Sequence, residues 1–298
     1  MINYDRSAWW KTCFAWRGTV LLHVLDRVGL LTGFCLVLYL VDEHLLKPNG
    51  TALPGLDPLG HNVLGVALSM LIVFRTNSSN NRFWEARSHW GMLVNTSRNL
   101  VRMASTYAPP AEDLARLVAA YVFLLKEQLR DLDSLGQIRH LVPGRLMVRL
   151  EGVRNPAQVL AMSMSEWVAH RLEEKRLDPI VATRMEELIC LLVDNQGGCE
   201  KIHRTPLPFV YAALIKQVLF LYLVTLPFVL VPKLTFMAPL VVAGVSLGML
   251  GIEEAGVEIE DPFGLDLNHL PLDQICDMIR GDTADLATTA SRANVRAD

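Results

Sequence analysis

The chain has 298 residues, of which 51% are hydrophobic and 20% are charged, and its formal net charge is −3. This balance supplies apolar material for a large core, and the slightly acidic charge excludes the general basic field that nucleic-acid partners require. The five cysteines are scattered and odd in number, which argues against a disulfide framework or a zinc cluster. Hydrophobic residues are concentrated in blocks, which favours a polytopic membrane protein.

Residues 1–27 mix aromatic and basic side chains. Rings beside cations suit the membrane interface, where a ring lies at headgroup depth and a cation meets anionic lipid. An amphipathic helix packed on other helices of the same protein is an equally good interpretation. We expect a cytoplasmic or interfacial N-terminal helix. The side chains concerned are Trp9, Trp10, Phe14, Trp16, Arg6, Lys11 and Arg17.

Residues 28–74 contain the first two predicted transmembrane helices. The first is the uncharged stretch 28–41, which ends before Asp42, and the loop 42–57 is punctuated by proline and glycine. The second is 58–74, which has no charged residue until Arg75. Its 17 residues lie at the short end of the roughly 17–25 that cross a bilayer.

Residues 75–205 are predicted to form a cytoplasmic helical domain. Charged residues return here, and apolar residues recur at helical spacing, as at Leu114, Leu117, Val118 and Tyr121. We expect helix breaks at 143–144 and near 178–179, where proline occurs.

Residues 206–252 are predicted to form transmembrane helices three and four, within the apolar stretches 207–231 and 234–252. Residues 253–298 are expected to form a cytoplasmic C-terminal helix through Arg280, followed by a disordered polar end. The acidic residues from Glu253 to Asp261 are interpreted as a solvated helix face or as arginine partners rather than as a metal site.

The distribution of basic residues sets the orientation. Lysine and arginine are frequent in the N-terminal segment and the middle region, whereas loop 42–57 has only Lys47 and the turn of the second hairpin only Lys233. The positive-inside rule therefore places both termini and the middle region in the cytoplasm. The sequence thus predicts an all-α, multi-pass protein of the cell inner membrane with four transmembrane helices.

Motifs of hydrolases, nucleotide-binding enzymes and metalloproteases are missing, so no enzymatic activity is expected.

Val66, Met70 and Phe74 lie four residues apart and therefore follow one side of a helix. Spacing alone favours a stripe that packs in the protein or faces lipid. If copies of this helix surrounded an axis, the same positions would form stacked apolar rings that close by dewetting. The polar run 76–81 would then line a vestibule.

Three blocks of the sequence resemble the bestrophins, and in particular their short bacterial branch. The first is 64–91, which reads LGVALSMLIVFRTNSSNNRFWEARSHWG. The second combines 198–200 with 205–209, and the third combines 260–264 with Asn268, 270–272 and Cys276. The blocks keep the family order and span most of the chain.

The resemblance implies a homopentameric ion channel with one central pore on a fivefold axis. It places an apolar neck at Val66, Met70 and Phe74 and a cytoplasmic aperture at Ile180. It implies membrane lipids and permeant monovalent ions as partners, without a cofactor or resident metal. The remaining signature residues, assigned to the vestibule and its structure, are Arg75, Asn77, Arg82, Glu85 and Asp261.

Two departures from animal bestrophins concern calcium and the neck. Animal members follow Pro-Phe-Gly with a dense acidic run, whereas residues 265–269 keep only Asp266. Because calcium takes six to eight oxygen ligands, no calcium gate of that kind is expected. Val66 and Met70 also differ in shape from the bulkier neck residues of animal members.

The sign of the permeant ion is open at this point. We expect passage of cations such as sodium, as in bacterial relatives, with Glu85 neutralising Arg75; chloride passage, as in animal relatives, is the alternative. A secondary transporter is less favoured because the membrane part shows no internal repeat and Lys216 is the only charge within the predicted transmembrane helices. A membrane scaffold that does not conduct is the remaining alternative.

Overall fold

The computed structural model describes residues 7–132 and 135–295, and side chains as far as residue 289. This part of the chain is helical and contains no strand. The sequence prediction of an all-α protein agrees with it. The helices are α1 (Trp9–Cys13), α2 (Leu21–Val41), α3 (Pro58–Tyr107), α4 (Glu112–Leu129), α5 (Leu135–Ile138), α6 (Gly144–Leu150), α7 (Pro156–Glu173), α8 (Pro179–Arg204), α9 (Phe209–Leu234), α10 (Ala238–Glu258) and α11 (Leu272–Val295).

Three helices start with the same kind of dipeptide, an Asp or Asn followed by a proline. The Asp57 carboxylate accepts from the Leu59 N–H at 2.8 Å before α3, and Asp178 accepts from Ile180 at the same distance before α8. The Asn155 side-chain oxygen caps α7 by accepting from the Gln158 N–H at 3.4 Å. The cap accepts a hydrogen bond from an N–H group that has no partner within the helix. Proline at the first helical position has no N–H, so it needs no cap of its own.

Three helical stretches of the described chain are long and apolar enough to cross a membrane: Leu21–Asn49, Pro58–Tyr107 and Phe209–Glu258. The third stretch contains α9 and α10, which have 26 and 21 residues and are joined by the short turn Thr235–Met237. At 1.5 Å per residue these helices are about 39 and 31 Å long. Each is therefore long enough by itself for a hydrocarbon core of about 30 Å.

The loop expected at 42–57 is only partly a loop. Helical turns continue from α2 through Asp42–Leu46 and Lys47–Asn49, and they end at Gly50 with a left-handed φ of 74°. The Asp42 side chain is buried, and its carboxylate accepts from the Leu53 N–H at 2.7 Å. This bond folds the following segment back against the helix end.

The described chain forms two compact units. The first, called the span unit, comprises residues 7–83 and 206–261. Its core is apolar and joins α2, α9, α10 and the first part of α3 through residues such as Val24, Leu68, Leu223 and Val242, each exposed to 1% or less. All three candidate membrane stretches contribute to this core.

The second unit, called the polar unit, comprises residues 84–132, 135–205 and 262–295. Helix α4 is its centre, because α5, α7, α8 and α11 all pack against it. Buried residues therefore occur on every side of α4, and they include the charged Lys126 and Glu127. Helix breaks expected at 143–144 and 178–179 coincide with the starts of α6 and α8.

The C-terminal helix is longer than the sequence indicated. Disorder was expected after Arg280, but α11 continues to Val295, the last residue that the structure describes. Thr283 and Ala287 are buried on this extension, and α11 packs against α4. A polar segment that buries one small-residue face can fold without a strongly apolar composition.

Candidate functional site

The first part of α3 has one exposed apolar face and one buried face. Val66, Met70 and Phe74 are exposed to 65%, 56% and 56%, although all three are hydrophobic. Leu68 and Ile72, on the opposite side, are exposed to 0% and 3% and belong to the core of the span unit. The stripe that the sequence singled out is therefore not buried against another part of the described chain. Because no part of its own described chain covers it, the stripe is available to face lipid, another copy of the chain or the axis of an assembly.

A glycine lets α9 approach α3 beside this stripe. A Cβ atom on Gly65 would lie 3.0 Å from the Tyr222 hydroxyl oxygen, so the tyrosine occupies the space that a side chain would need. The same ring stacks on His61, with the ring centroids 4.2 Å apart. Helices α3 and α9 therefore pack closely together beside Val66, on the inner face of α3.

Arg75 follows Phe74 directly and points into the protein. Its guanidinium donates to the Glu253 carboxylate, and the two side chains are exposed to only 3% and 2%. A second nitrogen lies 3.4 Å from Glu260. The expectation that Glu85 neutralises Arg75 is wrong, because α10 and the residues after it supply both carboxylates. The interpretation of the acidic residues as arginine partners is correct for Glu253 and Glu260.

Glu260 ties three parts of the span unit together. One carboxylate oxygen is near Arg75, and the other accepts from the Leu207 N–H at 3.1 Å. Its backbone carbonyl accepts from Arg82 Nε at 3.3 Å. The loop before α9, the end of α10 and two turns of α3 therefore meet at one acidic residue.

The polar run 76–81 does not share one environment. Asn77 is exposed, whereas Ser79 is fully buried. Thr76 packs against Gly256 of α10, where an added Cβ would lie 3.3 Å from the Thr76 hydroxyl. Only part of the run is therefore available to line a water-filled space, and Asn77 belongs to that part.

The remaining signature residues lie at defined positions in their own units. In the polar unit, Glu85 accepts from Lys201 of α8 at 2.7 Å. Asp261 is exposed at the end of the span unit. Ile180 is 77% exposed on the first turn of α8, where the Asp178 cap and Pro179 fix the helix start.

Gly198, in the second of the three sequence blocks, lies where α8 packs against α3. A Cβ atom at this position would overlap the His89 imidazole, so α8 can approach α3 only with glycine there. The His89 ring nitrogen Nδ1 lies 3.0 Å from the Asn195 amide oxygen. Sequence reasoning noted the glycine and missed the histidine, because the partner lies about a hundred residues away.

A buried polar network surrounds Cys199 and Glu200. The Tyr121 hydroxyl lies 2.8 Å from Gln196 Oε1, and the Gln196 amide donates to Glu200 at 2.7 Å. Asn155, which caps α7, also donates to Glu200 at 3.1 Å. Burial, aided by Glu200, raises the pKa of the Cys199 thiol to about 12. The thiol stays neutral at physiological pH and is a packing group rather than a nucleophile.

A histidine side chain stabilises the turn that follows Pro262. The Asp266 N–H donates to His269 Nδ1 at 3.2 Å, and the Leu270 N–H donates to the Pro262 carbonyl at 2.9 Å. His269 is buried. In the described part of the chain, no group of three His, Cys, Asp or Glu side chains is placed to hold a metal ion.

Known proteins are similar to this chain over nearly its whole length. The family model described as Bacterial/Fungal Bestrophin protein matches residues 1–285. A voltage-dependent anion channel-forming protein of Nostoc sp. is 35% identical over 300 residues, which cover 98% of this chain and 95% of that protein. The voltage-dependent anion channel-forming protein YneE of Escherichia coli K12 is 31% identical over 286 residues, which cover 95% and 92%.

The fold is also shared with solved structures. The crystal structure of a bacterial bestrophin homologue from Klebsiella pneumoniae matches with a TM-score of 0.83 and 27% identity, and the match covers 89% of this chain and 98% of that one. Fold and apolar helices together define an all-helical membrane protein. The chain belongs to the bacterial and fungal bestrophin family, so the resemblance recognised in the sequence is confirmed.

Proposed function

We propose that five copies of this chain assemble around a common axis into an ion channel. Relatives named as channel-forming proteins support the channel function. The observation on which the proposal depends is the exposed apolar stripe of α3, whose members are unburied although the opposite helix face is fully packed. Around an axis, Val66, Met70 and Phe74 would form three stacked rings without charge, and such a neck closes by dewetting.

The proposed topology has four crossings per subunit: α2, the first part of α3, α9 and α10. The lengths of α9 and α10 support two crossings within the stretch Phe209–Glu258, because each alone matches the hydrocarbon thickness. The excess of basic residues in the middle region supports a cytoplasmic location for both termini. The protein would lie in the cell inner membrane, with lipids around the span unit.

Cations such as sodium are the proposed permeant ions. Arg75 is the cation next to the stripe, and both its burial and its pairing with Glu253 and Glu260 remove it as an attractor of anions. The names of these relatives, voltage-dependent anion channel-forming proteins, favour anions, which makes an anion channel the second candidate. Reversal potentials in asymmetric sodium chloride distinguish the two, because the sign of the shift depends on which ion carries the current.

A second narrow point is proposed at Ile180. Its side chain is 77% exposed on a helix start that a cap and a proline hold in place. A rigidly held apolar residue that is solvent-exposed in one chain suits a ring in an assembly of five. Selection among ions of different size would occur there.

Purified protein in planar bilayers tests the proposal. We expect single-channel currents that grow with salt without saturation, whereas a coupled, saturable flux would indicate a transporter. The mass of the detergent-solubilised particle is the second measurement. A monomer would eliminate a central pore, and a pentamer without current in any salt would favour a scaffold.

A further inference from the structure

The segment that precedes α2 displays four aromatic rings on its surface. Trp9, Trp10, Phe14 and Trp16 are exposed to between 64% and 70%. Trp9 and Trp10 meet edge to face at 4.6 Å, and Trp10 stacks on Phe14 at 6.2 Å. Trp9, Trp10 and Phe14 therefore form an apolar cluster of their own, and none of the four rings joins the core of the span unit. Residues 8–17 are called the aromatic segment below.

The aromatic segment is also basic. Its charged residues are Lys11 and Arg17, and no carboxylate occurs between residues 7 and 18. A partner for this surface must offer an apolar layer beside negative charge. A bilayer that contains anionic lipid presents both at the same depth, since tryptophan prefers the headgroup region and cations pair with phosphate.

The chain tethers the aromatic segment to the point where α2 begins. Only residues 18–20 separate Arg17 from Leu21, so even a fully extended chain keeps their Cα atoms within about 14 Å of each other. Gly18 has a left-handed φ of 74°, which allows the chain to turn between the two parts. Leu22 and Leu25 continue the exposed apolar surface on the first turns of α2. The segment therefore remains near the membrane surface once α2 enters the bilayer.

We propose that the aromatic segment is a membrane-interface anchor that binds anionic lipid headgroups in the leaflet where α2 begins. Its rings lie at headgroup depth, and Lys11 and Arg17 bind lipid phosphates. Each cation near an anionic surface favours the docked state by about fivefold, so the pair contributes about 25-fold. The proposal requires that α2 enters the membrane and does not depend on conduction, so its failure differs from the failure of the channel proposal.

Cys13 provides a reporter inside the segment, because its thiol is exposed while Cys35, Cys199 and Cys276 are buried. A nitroxide is attached to Cys13 of the full chain in a Cys190→Ser background, which removes the other exposed thiol. The labelled protein is placed in vesicles of phosphatidylcholine alone or of equal parts phosphatidylcholine and phosphatidylglycerol. Spectral relaxation is then measured with oxygen, which enters lipid, and with a nickel chelate, which stays in water.

In the phosphatidylglycerol vesicles we expect a label that oxygen reaches and the nickel chelate does not. The docked-to-free ratio should fall about fivefold for Lys11→Gln or Arg17→Gln in these vesicles and stay unchanged in phosphatidylcholine. Arg139→Gln and Arg145→Gln remove the same charge from exposed sites of the polar unit and should have no effect. A label shielded from both reagents would show that another copy covers the segment, and this result overturns the proposal. A label open to the nickel chelate in both lipids overturns it as well.

Discussion

The guanidinium of Arg75 donates to the carboxylate of Glu253, and the two side chains are exposed to only 3% and 2%. Arg75 follows Phe74 on α3, so the two side chains point roughly 100° apart around the helix. The ion pair therefore fixes the rotation of α3 at the end of the exposed stripe. If the stripe forms the proposed neck, Arg75 and Glu253 are its positioning residues.

Replacing Glu253 should be far more damaging than replacing its neighbour. Glu253→Gln leaves the buried Arg75 without its main counter-charge, and breaking such a pair costs about 3–5 kcal/mol. Glu254→Gln disrupts a pair with Arg27, whose side chain is 48% exposed, and should cost about 0–1 kcal/mol. Thermal unfolding of the detergent-solubilised proteins measures both. Equal transition temperatures for the two variants would contradict the assigned role of Glu253.

Shrinking the stripe should widen the proposed neck. Met70→Ala and Phe74→Ala remove apolar groups that exclude water, so each should raise single-channel conductance in planar bilayers. Phe220→Ala is the matched control, because Phe220 on α9 is likewise exposed, to 67%, and is not proposed to face the pore. If Phe74→Ala and Phe220→Ala change conductance equally, the stripe does not line the ion path.

Ile180→Ala should change the relative permeability of ions of different size, with little effect on stability. The side chain is 77% exposed, so its loss creates no cavity in the described chain. Val148→Ala, at a residue exposed to 70% on α6, is the control. Bi-ionic reversal potentials measure the permeability sequence. A sequence that is the same in wild type and in both variants would place the second constriction elsewhere.

The sequence predicted local features well and long-range pairs poorly. The breaks expected at 143–144 and near 178–179 coincide with the starts of α6 and α8. A four-residue spacing is enough to put Val66, Met70 and Phe74 on one side of a helix. The partners of Arg75 lie 178 and 185 residues away, and no periodicity identifies them. Glu85 is nearer in sequence, but its carboxylate accepts from Lys201 of α8 instead.

Burial of small residues was equally invisible in the sequence. The segment after Arg280 is polar enough to suggest disorder, yet it is helical because Thr283 and Ala287 are buried and α11 packs on α4. The Thr283 hydroxyl donates to the Ile279 carbonyl at 2.7 Å, so its burial leaves no unpaired donor. Composition reports the average polarity of a segment and not the polarity of one face.

Acid should weaken the contact between α4 and α11. Burial alone would raise the pKa of Asp273, but hydrogen bonds from Lys126 and Arg130 outweigh it and hold the pKa below its ordinary value. A carboxylate of this kind stabilises the fold above its unfolded pKa of about 3.9, and the stabilisation is lost as the pH falls through the lower folded pKa. We expect Asp273→Asn to lower stability at neutral pH and to remove this acid-dependent component.

Unfolding transitions recorded across the acid range measure the effect of Asp273. Asp277→Asn is the control, because the ion pair of Asp277 with Arg280 lies within α11, and both side chains are about half exposed. Its pH profile should match that of the wild type. An unchanged profile for Asp273→Asn would mean that its bonds to Lys126 and Arg130 do not contribute to stability.

Adjacent glycines in α8 should respond to alanine in opposite directions. A Cβ on Gly198 would overlap the His89 ring, whereas a Cβ on Gly197 meets nothing within 4 Å. Gly198→Ala must displace the imidazole and its contact with Asn195, and overpacking of this kind costs about 1–3 kcal/mol. Gly197→Ala should stabilise by roughly 0.5–1 kcal/mol, since alanine loses less backbone entropy in a helix. Thermal unfolding separates the two variants, and a stabilising Gly198→Ala would show that α8 does not approach His89 this closely.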